Sequence, residues 1–127
     1  MGILCGVDIV EIERIKKSFE SVGLPFRDKV FTQKEIEYCE SKKIAKYQSY
    51  AARFAAKEAV SKAFGTGISN GLGWKNIEIL NNEYGKPYVV LLDSAKDMLH
   101  EIGAESMSIS ISHCDNYAVA YVVIHTK

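Results

Sequence analysis

The chain has 127 residues, enough for one domain that buries a core without disulfide or metal staples. Lys plus Arg and Asp plus Glu both number 16, so no net field draws it to nucleic acid or a membrane surface, and any charge recognition is local. The apolar fraction of 47% and charged fraction of 25% are those of a soluble globular protein. Three cysteines, Cys5, Cys39 and Cys114, lie far apart with neither CxxC nor zinc spacing, and read as free thiols. No targeting or membrane-spanning stretch is visible, so the expected setting is the cytoplasm.

Ile3–Val10 is rich in branched apolar residues and reads as a buried strand. Asp8 breaks it, and a carboxylate there needs a partner. Either it sits at the strand end and caps the next helix, or it projects from that end as a metal ligand; the strand alone favours neither. Glu11–Glu20 follows as an amphipathic helix with Ile12, Ile15 and Phe19 on its core face and Arg14, Lys16 and Lys17 as a basic cluster. After a turn at Gly23 and Pro25, Phe26–Phe31 predicts a short helix with two more cations. Thr32-Gln33-Lys34-Glu35 is a capping box that opens another helix, which gives Glu35 a structural role. Lys42, Lys43 and Lys46 form a further basic run, read as solvated.

A long helix is predicted from about Ile44 to Gly65, with Ala51, Ala55, Ala59 and Ala63 as a small-residue packing surface. Phe54, Glu58 and Lys62 recur every four residues and share one stripe. Flanked by Arg53 and Lys57, that stripe has two readings: an ion pair that steadies a solvated helix, or one wall of a metal and phosphate site. The glycine-rich stretch Gly65–Gly73 is neither a dinucleotide fingerprint nor a Walker A loop, and reads as a connector whose backbone N–H groups could approach a phosphate.

The second half turns to strands. Trp74–Leu80 and Pro87–Leu92 flank a hairpin-like turn at Asn81–Lys86; Asp93 or Ser94 caps a helix running to about Ile102. Met107–His113 alternates, Tyr117–Ile124 is apolar, and the link between them leaves His113 at a strand end beside a turn. Helices first and antiparallel strands mostly second define an α+β class: one domain over residues 1–127, with a modest sheet whose free edges or faces invite oligomerisation.

These pieces in this order resemble the stand-alone holo-acyl-carrier-protein synthases among the 4′-phosphopantetheinyl transferases. The resemblance rests on Gly6-Val7-Asp8-Ile9-Val10-Glu11-Ile12 with Arg14-Ile15, on Phe31-Thr32-Gln33-Lys34-Glu35, and on Arg53-Phe54-Ala55-Ala56-Lys57-Glu58-Ala59 with Lys62–Gly67. Trp74, Ile77-Glu78-Ile79, Gly85-Lys86-Pro87 and Ser110-Ile111-Ser112-His113 complete it. It covers essentially the whole chain. Departures are small: Tyr47-Gln48-Ser49-Tyr50 stands where the family is more apolar, and Cys114 follows His113 where Thr or Glu is common.

The resemblance implies Mg²⁺-dependent transfer of 4′-phosphopantetheine from coenzyme A to a serine of an acyl carrier protein, releasing adenosine 3′,5′-bisphosphate and supporting fatty acid biosynthesis. It implies a homotrimer with active sites between subunits. Asp8 and Glu58 would hold the metal, as hard oxygen ligands suited to Mg²⁺, and Lys62 would neutralise phosphate charge. Arg53, Lys62, Gly65, Thr66 and His113 would contact the coenzyme, while Arg14, Lys17, Phe26 and Lys29 would dock the acidic carrier. The serine proton would go to Glu58 or to a metal-bound water. Two other functions use parts of the same constellation: a non-catalytic module that binds coenzyme A or a nucleotide, and a Mg²⁺-dependent pyrophosphate hydrolase.

Overall fold

Strand β1 (Gly2–Glu11) pairs antiparallel with β5 (Tyr117–Thr126), and β5 pairs antiparallel with β4 (Ala104–His113). The computed structural model describes residues 2–69 and 71–127. The order β1-β5-β4 leaves β1 and β4 as edges, and a second sheet holds only the hairpin of β2 (Ile77–Asn81) and β3 (Pro87–Leu91). The single sheet expected from sequence is therefore two. Alternation marks each strand but carries no information on which strands share hydrogen bonds.

Among the described residues the α-helices are α1 (Ile12–Ser21), α2 (Leu24–Val30), α3 (Gln33–Glu40), α4 (Lys46–Phe64) and α5 (Ser94–Glu101). Short 3-10 turns at Lys43–Ala45 and Trp74–Asn76 take the places where the sequence suggests the start of the long helix and of a strand. The capping box at the head of α3 forms as expected: Thr32 Oγ1 accepts from the Glu35 N–H, and Glu35 Oε1 accepts from the Thr32 N–H at 2.8 Å. Asp93 precedes α5, but its side chain makes no capping bond.

Helix α4 lies across β1 and β5, and its alanines explain how closely. Ala51, Ala55, Ala56 and Ala59 are fully buried against Ala118, Ala120, Val122 and Ile124 of the same core. The approach is tightest at Gly6 of β1, where an added Cβ would stand 2.1 Å from the Ala59 carbonyl oxygen and 2.7 Å from the Ala63 nitrogen. No side chain fits between that strand and that helix. Glycine at this position brings Asp8, two residues on, to the open side of α4.

The expectation that β1 is buried holds for one face only. Gly6 and Val10 face α4 and are buried. Ile3 (70% exposed), Val7 (52%) and Ile9 (63%) point away from it, joined by Tyr121 (47%) of β5. A continuous apolar run thus lies on an edge strand whose outer face none of the described residues covers. Nor does the strand stop at Asp8: pairing continues through Asp8 with Ala120 to Glu11 with Tyr117, so Asp8 projects from within the strand.

Candidate active site

Of the nineteen residues of α4, those at Phe54, Glu58 and Lys62 form its open stripe: the first two are half-buried and Lys62 is exposed, between buried neighbours on either side. Four-residue spacing keeps them in line. The ion pair suggested by that spacing is not made. Lys62 Nζ instead donates to Asp8 Oδ1 at 2.9 Å and to the Val7 carbonyl at 3.0 Å. An ammonium has three donors, so one N–H remains for a further acceptor.

Glu58 is left, among the described residues, without an ion-pair partner. Burial first, and then the nearby Asp8 charge, push its carboxyl above the ordinary value, against the opposing pull of Lys62 and Arg14. The Asp8 charge beside the half-buried Glu58 carboxyl, with one cation between strand and helix, makes a ready seat for added positive charge. Among the described residues no group of three or more His, Cys, Asp or Glu side chains gathers to hold a metal alone. That donor set suits Mg²⁺ better than a metal needing a closed protein cage, because Mg²⁺ keeps waters and takes phosphate oxygens alongside one or two carboxylates.

Arg53 lies elsewhere. Nine residues from Lys62 on one helix, it points about 180° away and sits about 14 Å back along the axis. There it helps to line a cleft of about 470 Å³ with Tyr38, Lys42, Gly85, Pro87 and His113. Its guanidinium packs 4.1 Å from the Tyr38 ring centroid, and the Lys42 ammonium lies 4.6 Å from the same centroid. It also donates to Asn81 Oδ1 and to Ser49 Oγ at 3.3 Å. Its Nε, fully shielded from solvent, has no hydrogen-bond partner among the described residues. The sequence reading that set Arg53 beside the carboxylates is corrected: both lie on α4, but on opposite faces. His113, the last residue of β4, is exposed in the same cleft, and the turn behind it is closed by Cys114 N–H donating to Tyr117 O at 2.9 Å.

Other expected site residues fare differently. The Gly65 N–H is already donated to the Ser61 and Lys62 carbonyls at 3.1 and 3.0 Å, which ends α4 with Gly65 at φ +85°. It is therefore not a free phosphate donor, which removes the Gly65 half of the backbone role suggested for the Gly65-Thr66 pair; the Thr66 hydroxyl is exposed and donates to Gly67 O. Arg14 and Lys17 are exposed on α1 and line a groove of about 340 Å³. Lys29 is exposed on α2, whereas Phe26 is half-buried in an aromatic cluster, 5.4 Å from the Phe19 centroid and 6.5 Å from that of Phe54. Phe54 in turn stacks on Trp74 at 4.8 Å.

Lys57 does not flank a phosphate site as its sequence position suggests. It is fully buried, 2.8 Å from Glu35 Oε1, and donates to the Trp74 and Ile77 carbonyls. Glu35 also accepts from the Ile79 N–H at 2.9 Å, so the capping box accounts for only part of its bonding. The signal was Lys57 itself, on the side of an alanine-rich helix where every neighbour is core.

The model described as the 4′-phosphopantetheinyl transferase superfamily matches residues 4–122, and the chain belongs to that superfamily. Its curated relatives are holo-acyl-carrier-protein synthases. That of Ruminiclostridium cellulolyticum is 58% identical over 124 residues, which is 98% of this chain and 92% of the relative. The solved synthase of Helicobacter pylori in complex with coenzyme A has a TM-score of 0.85 at 34% identity, over 96% of this chain and 100% of that one. The synthase of Neisseria meningitidis reaches a TM-score of 0.90 at 32% identity, over 97% and 98%. The chain is an enzyme, a phosphopantetheinyl transferase of the holo-acyl-carrier-protein synthase kind.

Proposed function

We infer that residues 1–127 form one transferase domain that moves 4′-phosphopantetheine from coenzyme A to a serine of an apo-acyl carrier protein, in the cytoplasm and in support of fatty acid synthesis. The observation that carries the reaction centre is the meeting of Asp8, Lys62 and the unpaired Glu58 where Gly6 lets β1 touch α4. Asp8 and Glu58 hold Mg²⁺, which supplies charge neutralisation on the pyrophosphate. The free N–H of Lys62 faces a phosphate oxygen and stabilises negative charge as it builds on the leaving bisphosphate. The carrier serine oxygen attacks phosphorus, the bond to adenosine 3′,5′-bisphosphate breaks, and the serine proton passes to a base beside it. Arg14, close enough to Glu58 to bias its titration, puts the basic face of α1 next to this centre. Arg14 and Lys17, extended by Lys29 and the half-buried Phe26, receive the acidic carrier there.

The cleft of Lys42, Arg53 and His113 binds the phosphates or adenosine of the coenzyme, with Arg53 Nε as a donor in waiting. Because this cleft and the carboxylates lie on opposite faces of α4, one coenzyme reaches both when they come from two copies. The exposed apolar face of Ile3, Val7, Ile9 and Tyr121 offers the contact, and a homotrimer with three shared sites satisfies both observations.

Mass spectrometry of an apo-carrier incubated with coenzyme A, Mg²⁺ and the enzyme tests the reaction. The carrier should gain the mass of one phosphopantetheine group. Bisphosphate release without that gain would identify a hydrolase, and neither product would leave a binding module.

A further inference from the structure

Lys57 precedes Glu58 directly, yet its side chain runs the other way, into the core. Its ammonium meets three acceptors there: Glu35 Oε1 at 2.8 Å, the Trp74 carbonyl at 2.9 Å and the Ile77 carbonyl. Three N–H donors meeting three acceptors describe the charged form, since a neutral amine has only two N–H groups. Burial pulls Lys57 below its ordinary value and Glu35 pushes it back.

Glu35 is equally committed. Its two oxygens accept from Lys57, from the Thr32 N–H at 2.8 Å and from the Ile79 N–H at 2.9 Å. Thr32 Oγ1 then donates at 2.6 Å to Glu78, itself nearly buried. One buried pair therefore ties the middle of α4 to the head of α3, to the Trp74–Asn76 turn and to the first residues of β2.

The opposite side of α4 is smooth by comparison. Ala51, Ala55, Ala59 and Ala63 pack closely on β1 and β5, but these methyl groups make no directional bond. Lys57 instead makes directional bonds to three acceptors on α3, β2 and the turn before it, more than Arg53 makes to Asn81 and Ser49. A turn of α4 would strain these bonds, and the same turn would swing Glu58 and Lys62 relative to Asp8.

We propose that the buried Lys57–Glu35 pair is a positioning element for phosphopantetheine transfer, locking the rotation of α4 so that Glu58 and Lys62 meet Asp8. This rests on the reading of Asp8, Glu58 and Lys62 as the metal and phosphate site. Lys57 touches no substrate and acts only through the helix it holds.

The test uses the double variant Lys57→Met/Glu35→Gln, which removes the ion pair without stranding a buried charge. Glu35→Gln alone is the second variant: its amide oxygen can still accept from Lys57, but the ammonium is left buried without its countercharge, and this variant decides the matter if the double variant does not fold. Each is assayed well below its thermal transition for carrier transfer, with Mg²⁺ and coenzyme A titrated separately. The pair's role predicts at least a tenfold lower kcat and a several-fold higher Mg²⁺ half-saturation in the double variant. The same direction, about threefold, is expected for Glu35→Gln, with the coenzyme KM changed less in both. A folded variant with wild-type kcat and wild-type Mg²⁺ dependence would overturn the proposal and leave the pair a stabiliser only. Wild-type enzyme that fails to modify the carrier would instead refute the underlying function.

Discussion

Glu58 is destabilised where it stands. Its carboxyl is raised by burial and by Asp8, so the fold favours its protonated form. For a group shifted upward, the stabilising contribution is present below the ordinary carboxyl value of 4.5 and is lost as pH rises through the folded-state value. At neutral pH the ionised carboxylate therefore costs stability, which a bound cation would return. Glu58→Gln should melt no lower than wild type at pH 7, while losing about 10²-fold or more in turnover, the scale of one lost transition-state contact. Mg²⁺ should raise the melting temperature of wild type and not of the variant. A Glu58→Gln enzyme that melts clearly lower, or keeps both its turnover and its response to Mg²⁺, would show that this carboxylate is not the strained metal ligand described above. How much of this was legible in the sequence differs residue by residue. The stripe of Phe54, Glu58 and Lys62 follows from spacing, and the geometry keeps it. The partner of Lys62 does not follow from spacing, because Asp8 arrives from a strand more than fifty residues away.

At the scale of elements, the site depends on how closely β1 meets α4. Gly6→Ala would place a methyl group 2.1 Å from the Ala59 carbonyl oxygen, which no backbone there can yield to cheaply. Forced insertion of this kind costs about 1–3 kcal/mol or more. Gly6→Ala should lower stability by at least that much in urea unfolding, and should reduce turnover further by shifting Asp8 away from Lys62. An unchanged midpoint would mean that the strand and helix are not in the contact described. This contact was not legible: a glycine inside a strand signals close approach, but not to which element. The same limit explains the two sheets. Hydrophobic alternation located the strands of the second half, while the separation of β2 and β3 from β1, β5 and β4 is a matter of pairing. Lys57 and Glu35 make the reverse case. Glu35 had a satisfactory local account as a capping residue, and Lys57 was read only as flanking the Glu58–Lys62 stripe; local accounts stop where long-range burial begins.

For the molecule as a whole, two features remain unbalanced in a single chain. One is the open apolar face of β1 and β5, and the other is the placement of the Lys42–Arg53–His113 cleft on the far side of α4 from Asp8 and Glu58. The sequence pointed to the apolar strand but not to its exposure, since an edge strand and a central one read alike. The proposed assembly would resolve both, by covering the face and by bringing the cleft of one copy to the carboxylates of the next. This is the central claim of shared sites, and mixing two crippled variants tests it most directly. One carries Glu58→Gln; the other carries Lys42→Ala with His113→Ala, both exposed positions in the cleft. Each alone should transfer phosphopantetheine poorly. After subunit exchange, some interfaces join intact carboxylates from the second variant to an intact cleft from the first, and transfer should recover well above the sum of the two separate activities. If every site is built within one chain, each chain still carries its defect, and the mixture would be no more active than that sum.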